Sequence, residues 1–212
     1  YEKYGYAPEA MVESAMRHVK ILEELDFYDT IVSLKASDVP RMVKAYKLFA
    51  EKTDYPVHLG VTEAGSKIPG AIKSSMGMGM LLSEGIGDTI RVSLSEDPKE
   101  EVKVAKLILR SLGLRNDGVQ ITSCPTCART HIDVIKIVEE LENETEKIKK
   151  PIHVAVMGCA VNGPGESRKA DLGIVGAPGS HVLYKNGQIV KRINDNEIKE
   201  VLLKEINEMA NN

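Results

Sequence analysis

The sequence predicts an α/β fold followed by an α+β fold. Up to residue 115, helix-like and strand-like segments alternate, which is typical of parallel strands joined by helical crossovers. After residue 116, short strands, glycine-rich loops and a hairpin replace that alternation. The segment 113–118 (GLRNDG) is rich in turn-forming residues, so we place a domain boundary there. The expected domains are residues 1–115 and 116–212.

The first domain is predicted to consist of strand–helix units. Apolar residues recur at helical spacing in four segments, with three strand-like segments between them. The predicted helices are 7–25, 39–52, 70–82 and 98–112, and the predicted strands are 29–37, 57–65 and 88–95. Three such units cannot close a β/α barrel, which needs about eight strands. They form either a small open sheet or the C-terminal part of a longer barrel, and the opening of the chain without a methionine favours the barrel.

The second domain is predicted to be a compact α+β module. Its Asn186-Gly187 pair suits a two-residue turn with positive φ, so 182–190 is expected to form a hairpin. A final helix over 196–210 would bury one apolar face. The remaining predicted elements are strands at 119–123, 152–158 and 171–178 and a helix at 125–147.

Composition excludes several classes of protein. The formal net charge of the 212 residues is -3, so no overall basic field would attract nucleic acid. No apolar run reaches the roughly 18 residues that a membrane span requires, and no secretory signal precedes the first predicted helix. We therefore expect a cytoplasmic protein. Three cysteines, an odd number, argue against a disulfide scaffold.

The three cysteines suggest a metal centre. Cys124 and Cys127 form a CxxC motif at a predicted strand–helix junction, where a helix N-terminus would stabilise thiolates. Cys159 follows a predicted strand and opens the loop CAVNGPGE. The glycines of that loop would allow its backbone to approach a bulky inorganic group.

Three interpretations of the cysteines are open. A zinc site needs a fourth donor, but His131, His153 and His181 are poorly spaced to supply it. A thioredoxin-like pair leaves Cys159 unexplained. An iron–sulfur cluster accepts three thiolates and one other ligand, so it is the favoured interpretation. Glu166 is a candidate fourth ligand, although its spacing suits a solvated loop carboxylate equally well.

These motifs resemble a known enzyme family. The strings SCPTCART and VMGCAVNGPGE, with Cys127 and Cys159 32 positions apart, are similar to those of 4-hydroxy-3-methylbut-2-enyl diphosphate synthases. The similarity extends to VSLKASDV, LGVTEAG and LLSEGIGDTIRVSLS, and so covers nearly the whole chain. The resemblance implies an N-terminal β/α (TIM-type) barrel, of which this chain has the last units. It also implies a C-terminal iron–sulfur domain similar to a sulfite-reductase half-domain.

The resemblance further implies a cofactor, a reaction and partners. The implied ligands of a 4Fe–4S cluster are Cys124, Cys127, Cys159 and Glu166. The implied reaction is the reductive ring opening and dehydroxylation of 2-C-methyl-D-erythritol 2,4-cyclodiphosphate, with flavodoxin or ferredoxin as electron donor. A homodimer would share its active site between chains. Since earlier barrel strands are absent from the sequence, we expect no turnover by this chain alone.

The predicted strand ends add candidate substrate residues. Lys35, Arg91 and Ser93 lie near the carboxyl ends of their strands and suit an anionic diphosphate. Glu63, in the TEAG motif, suits general acid work. Salt bridges within the barrel are the alternative for all four. His58 is expected to be a satisfied interior histidine, and the methionines of MGMGM to serve in helix packing.

Overall fold

The computed structural model describes residues 3–212. The chain divides into two compact units, one ending at Arg115 and the other spanning Asn116–Asn212. Among the described residues, no helix is both long and apolar enough to cross a membrane.

The first unit is an α/β unit with four helices and short strands. Three helices begin with a proline in their first turn, where its missing N–H has no partner to lose. Asp38 and Asp97 cap the second and fourth helices by accepting hydrogen bonds from the amides of Arg41 and Lys99. In chain order the elements are α1 (Pro8–Glu24), α2 (Val39–Ala50), β1 (His58–Leu59), α3 (Lys67–Leu82), β2 (Thr89–Ile90) and α4 (Pro98–Ser111).

The strands of this unit are much shorter than predicted. β1 and β2 form a two-residue parallel ladder, and the segment expected at 29–37 makes only an isolated parallel bridge between Val32 and Val57. Extended chain nevertheless continues beyond the ladders, since the Arg91 amide donates to the Leu59 carbonyl at 2.9 Å. The sequence pattern marks extended residues, whereas a ladder also requires aligned partners on the neighbouring segment.

The two faces of the extended segments differ in chemistry. One face is apolar and packs among the helices in the core of this unit, together with Met42, Tyr46 and Phe49 of α2. Side chains of successive strand residues point to opposite faces, so the residues in between share the other face. The buried face consists of Leu34, Ala36, Val57, Leu59, Val61 and Val92.

Tyr46 connects the first two extended segments. It is fully buried, its hydroxyl donates to the His58 carbonyl at 2.6 Å, and it accepts the Leu34 amide at 2.9 Å. Burial raises the pKa of Tyr46 to about 12, so the phenol stays protonated and can serve as donor and acceptor.

The second unit is a five-stranded mixed sheet with helices. The strand order follows the sequence: β3, β4 and β5 are parallel, while β5, β6 and β7 are antiparallel. The predicted hairpin is confirmed, with φ of 49° at Asn186 and 76° at Gly187. The elements are β3 (Val119–Ser123), α5 (Val134–Thr145), β4 (Ile152–Met157), α6 (Gly163–Lys169), β5 (Leu172–Val175), β6 (His181–Lys185), β7 (Gln188–Ile193), a 3-10 turn (Asp195–Glu197) and α7 (Ile198–Asn211).

Two predicted elements of this unit were wrong. The helix expected from residue 125 begins only at Val134, where the Asp133 carboxylate accepts the Lys136 amide at 3.1 Å. The residues before it instead bind the end of β4, because the His131 amide donates to the Gly158 carbonyl at 2.9 Å. The segment expected to be a loop after Cys159 contains the short helix α6.

Tyr46→Phe is expected to destabilise the chain by about 1–3 kcal/mol, because the Leu34 amide and the His58 carbonyl would each lose a buried partner. Urea unfolding followed by circular dichroism measures this. The matched control is Tyr55→Phe, whose hydroxyl donates to exposed Glu23 at 3.2 Å and should cost much less. Equal stability of the two variants would contradict the role given to Tyr46.

Candidate functional site

The cysteines of the second unit lie on loops at one edge of the sheet. Cys124 directly follows β3, and Cys159 comes two residues after β4. These strands are parallel and in register, with Ser123 opposite Val156, so both cysteines emerge from the same edge. The Cys124 amide donates to the Val156 carbonyl at 3.3 Å, which fixes the start of its loop.

A backbone amide binds the first cysteine sulfur. The Gly158 N–H donates to Cys124 Sγ at 3.1 Å, and Cys124 is half-buried. Such N–H donors stabilise a thiolate and tune a metal cluster bound to it. The loops are packed closely: a Cβ on Gly158 would lie 2.8 Å from Thr130 Oγ1, and one on Gly176 would lie 2.3 Å from the Gly158 carbonyl oxygen. Glycine is therefore needed at both positions.

Cys127 occupies a more open position. It is exposed, and its amide donates to Thr130 Oγ1 at 3.4 Å. The Arg129 backbone N–H lowers the pKa of the Cys127 thiol, with the Thr130 hydroxyl adding to the effect and desolvation opposing it. The expected stabilisation by a helix N-terminus is wrong, because α5 begins seven residues later. Loop amides take over that role.

Glu166 lies within a helix, not in a loop. It occupies the first turn of α6, is half-buried, and forms an ion pair with Lys169 at 3.8 Å. All three cysteines are free thiols. Nowhere in residues 3–212 do three His, Cys, Asp or Glu side chains come close enough together to hold a single metal ion. The structure thus brings the Cys124 and Cys159 loops together without gathering all four side chains around one point.

The donor set fits an iron–sulfur cluster better than a single ion. Tetrahedral zinc needs four donors within one coordination sphere, and the described residues form no such group. A four-iron cluster spreads its ligands over separate irons, accepts thiolates, and gains from N–H groups directed at sulfur. Three free thiols on two loops, one of them already bound by a backbone amide, have that chemistry.

The first unit has a cationic polar face on its extended segments. Parallel pairing of His58 with Thr89 puts Gly60 beside Arg91, two residues further along each strand. A Cβ on Gly60 would lie 3.3 Å from Lys35 Cε and 2.6 Å from the Arg91 carbonyl oxygen. The absence of a side chain at Gly60 therefore allows Lys35 to extend over β1 toward Arg91.

The two cations of this face have no carboxylate partner. Burial lowers the pKa of Lys35, and the nearby Arg91 guanidinium lowers it further. Arg91 Nε donates to Ser93 Oγ at 3.2 Å, and neither cation forms an ion pair within the described part of the chain. Two like charges held close without an acid are suited to bind an anion. Glu63 is exposed in the following turn at a φ of 50°, and no hydrogen bond among the described residues links it to this face.

His58 also lies on this face, although it was expected to be an interior histidine. It is half-buried, and its Nδ1 lies 2.7 Å from Thr89 Oγ1. Burial lowers the pKa of His58, and the charges of Lys35 and Arg91 lower it further. The sequence did hold an indication of this position: strand side chains alternate between two faces, which puts His58 and Gly60 on the same face.

Comparison with known proteins agrees with the sequence motifs. Residues 1–106 match the GcpE TIM-barrel domain, and residues 120–208 match the GcpE protein C-terminal domain. The chain belongs to the GcpE family. The predicted family and its barrel are thereby confirmed, whereas the sulfite-reductase-like character of the second unit stays a prediction.

Curated members of this family resemble the chain over almost its whole length. Relatives from Brevibacillus brevis and Caldanaerobacter subterraneus subsp. tengcongensis are 54% and 56% identical over 211 and 209 residues. One from Geobacillus thermodenitrificans is 56% identical over 210 residues. These matches cover 98–99% of this chain, and each relative is described as a 4-hydroxy-3-methylbut-2-en-1-yl diphosphate synthase (flavodoxin). The chain spans 56–59% of their length.

We expect the His58 ring to titrate below its ordinary pKa of 6.5, and Lys35→Met to move that midpoint upward by removing a nearby positive charge. Because the folded state then favours the neutral ring, stability should fall as pH drops through 6.5 toward the folded-state pKa. Ring-proton NMR titration measures the midpoint. Lys44→Met, which removes a charge paired with Glu9, should leave it unchanged, and a wild-type midpoint at or above 6.5 would refute the assignment.

Proposed function

We propose that this chain takes part in the reductive conversion of 2-C-methyl-D-erythritol 2,4-cyclodiphosphate to 4-hydroxy-3-methylbut-2-enyl diphosphate, a step of isoprenoid precursor synthesis. The observation that carries the proposal is the sheet edge of the second unit, where free thiols lie on two adjacent loops and Cys124 Sγ accepts the Gly158 N–H at 3.1 Å. The cation pair on the first unit supports an anionic substrate. The names of the relatives support the reaction.

The proposed cofactor is a 4Fe–4S cluster held by Cys124, Cys127, Cys159 and Glu166. When bound, it would supply single electrons and an iron open to an oxygen ligand. The Gly158 N–H would donate a hydrogen bond to the Cys124 sulfur while that sulfur ligates the cluster. Glu166 is a hard oxygen donor among soft sulfurs, so it is the ligand most easily exchanged. To act there, Glu166 must give up its ion pair with Lys169.

The proposed substrate residues act on charge and protons. Lys35 and Arg91 would neutralise the diphosphate, and Ser93 orients the Arg91 guanidinium through its hydroxyl. Glu63 is proposed to handle a proton at the departing oxygen, since its exposed turn position leaves its carboxyl accessible. The overall conversion takes up two electrons and two protons and releases one water.

The proposed electron donor is flavodoxin, the donor printed in the names of the relatives. Arg129, beside the CxxC motif, and Arg168 of α6 are exposed, and their positive charges would attract an acidic electron donor. The same proposal includes a homodimer that shares its active site, a sulfite-reductase-like second unit and a cytoplasmic location. The other strands of the barrel would correspond to the part of the relatives that this chain does not span.

Anaerobic reconstitution tests the cluster. We expect about four irons and four sulfides per chain in the wild type and almost none in Cys159→Ser, because the cluster loses a thiolate anchor. Glu166→Ala should give a less stable or incomplete cluster. The control is Glu142→Ala, a change to an exposed carboxylate of α5. One zinc per chain without sulfide would overturn the proposal, and a full cluster insensitive to the cyclodiphosphate would indicate an electron-transfer module instead.

Calorimetric titration with inorganic pyrophosphate tests the cation pair. Lys35→Met and Arg91→Met are each expected to weaken binding about tenfold or more, because each removes a charge-assisted contact. Binding should also weaken as salt is raised. Lys44→Met, a change to an exposed lysine on α2, should bind like the wild type. If all three variants bind equally, the anion does not use this face.

A further inference from the structure

A buried histidine begins β6, close to the sheet edge that carries the cysteines. His181 is only 3% exposed, and both nitrogens of its ring have partners, as a buried imidazole requires. Nδ1 accepts the Ala177 amide at 3.2 Å, and Nε2 lies 2.7 Å from Asp195 Oδ1. A backbone N–H can only donate, so Nδ1 carries no proton in this arrangement. Nε2 therefore holds the proton and donates it to the Asp195 carboxylate.

Asp195 is held beside the ring by the turn that follows β7. His181 pairs with Ile193, the last residue of β7, so the chain passes close to the histidine as it leaves the sheet. A capping box then fixes the turn: the Asn194 amide donates to the Glu197 carboxylate at 2.9 Å, and the Glu197 amide donates to the Asn194 carbonyl at 3.1 Å. A carboxylate at one ring nitrogen sets the tautomer, which leaves Nδ1 as an acceptor.

The segment bound by His181 is the connection between β5 and β6, residues 176–180, which we call the β5–β6 loop. At its start, the Gly176 amide donates to the Met157 carbonyl at 2.8 Å. The next amide, that of Ala177, has the His181 ring as its partner. At Gly179, φ is 77° and the space around the Cβ position is open, so packing does not hold the tip of the loop. The histidine therefore anchors the loop directly after Gly176.

A single peptide group joins the β5–β6 loop to the first cysteine sulfur. This group consists of the Met157 carbonyl and the Gly158 N–H, which point in opposite directions in a trans peptide. The carbonyl accepts the Gly176 amide at 2.8 Å, and the N–H donates to Cys124 Sγ at 3.1 Å. A hydrogen bond at the carbonyl also polarises the peptide and makes its N–H a stronger donor. The position of Gly176 thus controls the hydrogen bond to Cys124.

We propose that His181, oriented by Asp195, is a positioning residue for the Cys124 sulfur. By binding the Ala177 amide, it keeps the adjacent Gly176 amide on the Met157 carbonyl and so directs the Gly158 N–H at the sulfur. The inference rests on the proposed function, because it concerns a sulfur that would ligate the cluster. Donors to ligating sulfurs stabilise the cluster and help to set its reduction potential.

Two substitutions of His181 separate the roles of its ring nitrogens. In His181→Asn, the side-chain oxygen lies near the place of Nδ1 and can still accept the Ala177 amide, while the contact with Asp195 is lost. In His181→Gln, the amide extends toward Asp195 and a carbon occupies the place of Nδ1. Both variants remove the same ring from the core. An effect that acts through the Ala177 amide is therefore expected in His181→Gln and rescued in His181→Asn.

Nuclear magnetic resonance of the cluster-free chain tests the contacts. The amides of Gly176, Ala177 and Gly158 should exchange about tenfold faster or more in His181→Gln than in the wild type, and near the wild-type rate in His181→Asn. Nitrogen spectra of the wild-type ring should show the proton on Nε2. The matched control Ile206→Val thins the core beneath α7 and should leave these amides unchanged. A proton on Nδ1, or equal exchange in the Asn and Gln variants, would overturn the inference.

Anaerobic reconstitution tests the effect on the cluster. His181→Gln should lose iron to a chelator about tenfold faster or more than the wild type, and its reduction potential should become more negative. His181→Asn should resemble the wild type in both measurements. Full clusters with the same potential and the same rate of iron loss in every variant would overturn the inference and leave the proposed function intact. A wild-type chain that takes up no iron and sulfide would overturn both.

Discussion

The parallel pairing of β3 with β4 is the constraint on which the candidate cluster site depends. It puts the residue after Ser123 and the residues after Met157 at the same sheet edge, although they are far apart in sequence. A one-residue shift of this register would turn every side chain of β4 to the other face and move Gly158 away from Cys124 Sγ. The N–H to sulfur contact of 3.1 Å is thus a product of the sheet.

Close backbone approach recurs in both units and has one physical basis. Gly60, Gly158 and Gly176 each lie where a Cβ would collide with another segment of the same chain. At Gly60 the space is occupied by the Lys35 side chain, so two cations come near each other without an acid between them. At the sheet edge of the second unit, Gly158 and Gly176 likewise leave room for the loops after β3, β4 and β5 to come close together. In both candidate sites, glycine has no side chain to block the approach of a charged or metal-ligating residue.

The outer surface of α3 illustrates a different constraint. A helix in an α/β unit must bury one face against its strands, and the Gly70, Ser74, Gly77 and Leu81 face of α3 does so. The large apolar side chains of its opposite face, Ile68, Ile72, Met76 and Met80, stay exposed.

The sequence by itself determined the elements whose signals are local. Proline-led helices, the Asn186-Gly187 hairpin and the apolar faces of α5 and α7 follow from propensity and periodicity. The strings SCPTCART and VMGCAVNGPGE led to the correct family. The tertiary structure decided the conformation of segments whose backbone groups can pair with more than one partner. Residues 124–133 bind the end of β4 instead of continuing α5 toward Cys124, because backbone groups there find partners on Val156 and Gly158. His58 joins Lys35 and Arg91 for the same reason, since only strand pairing defines which side chains share a face.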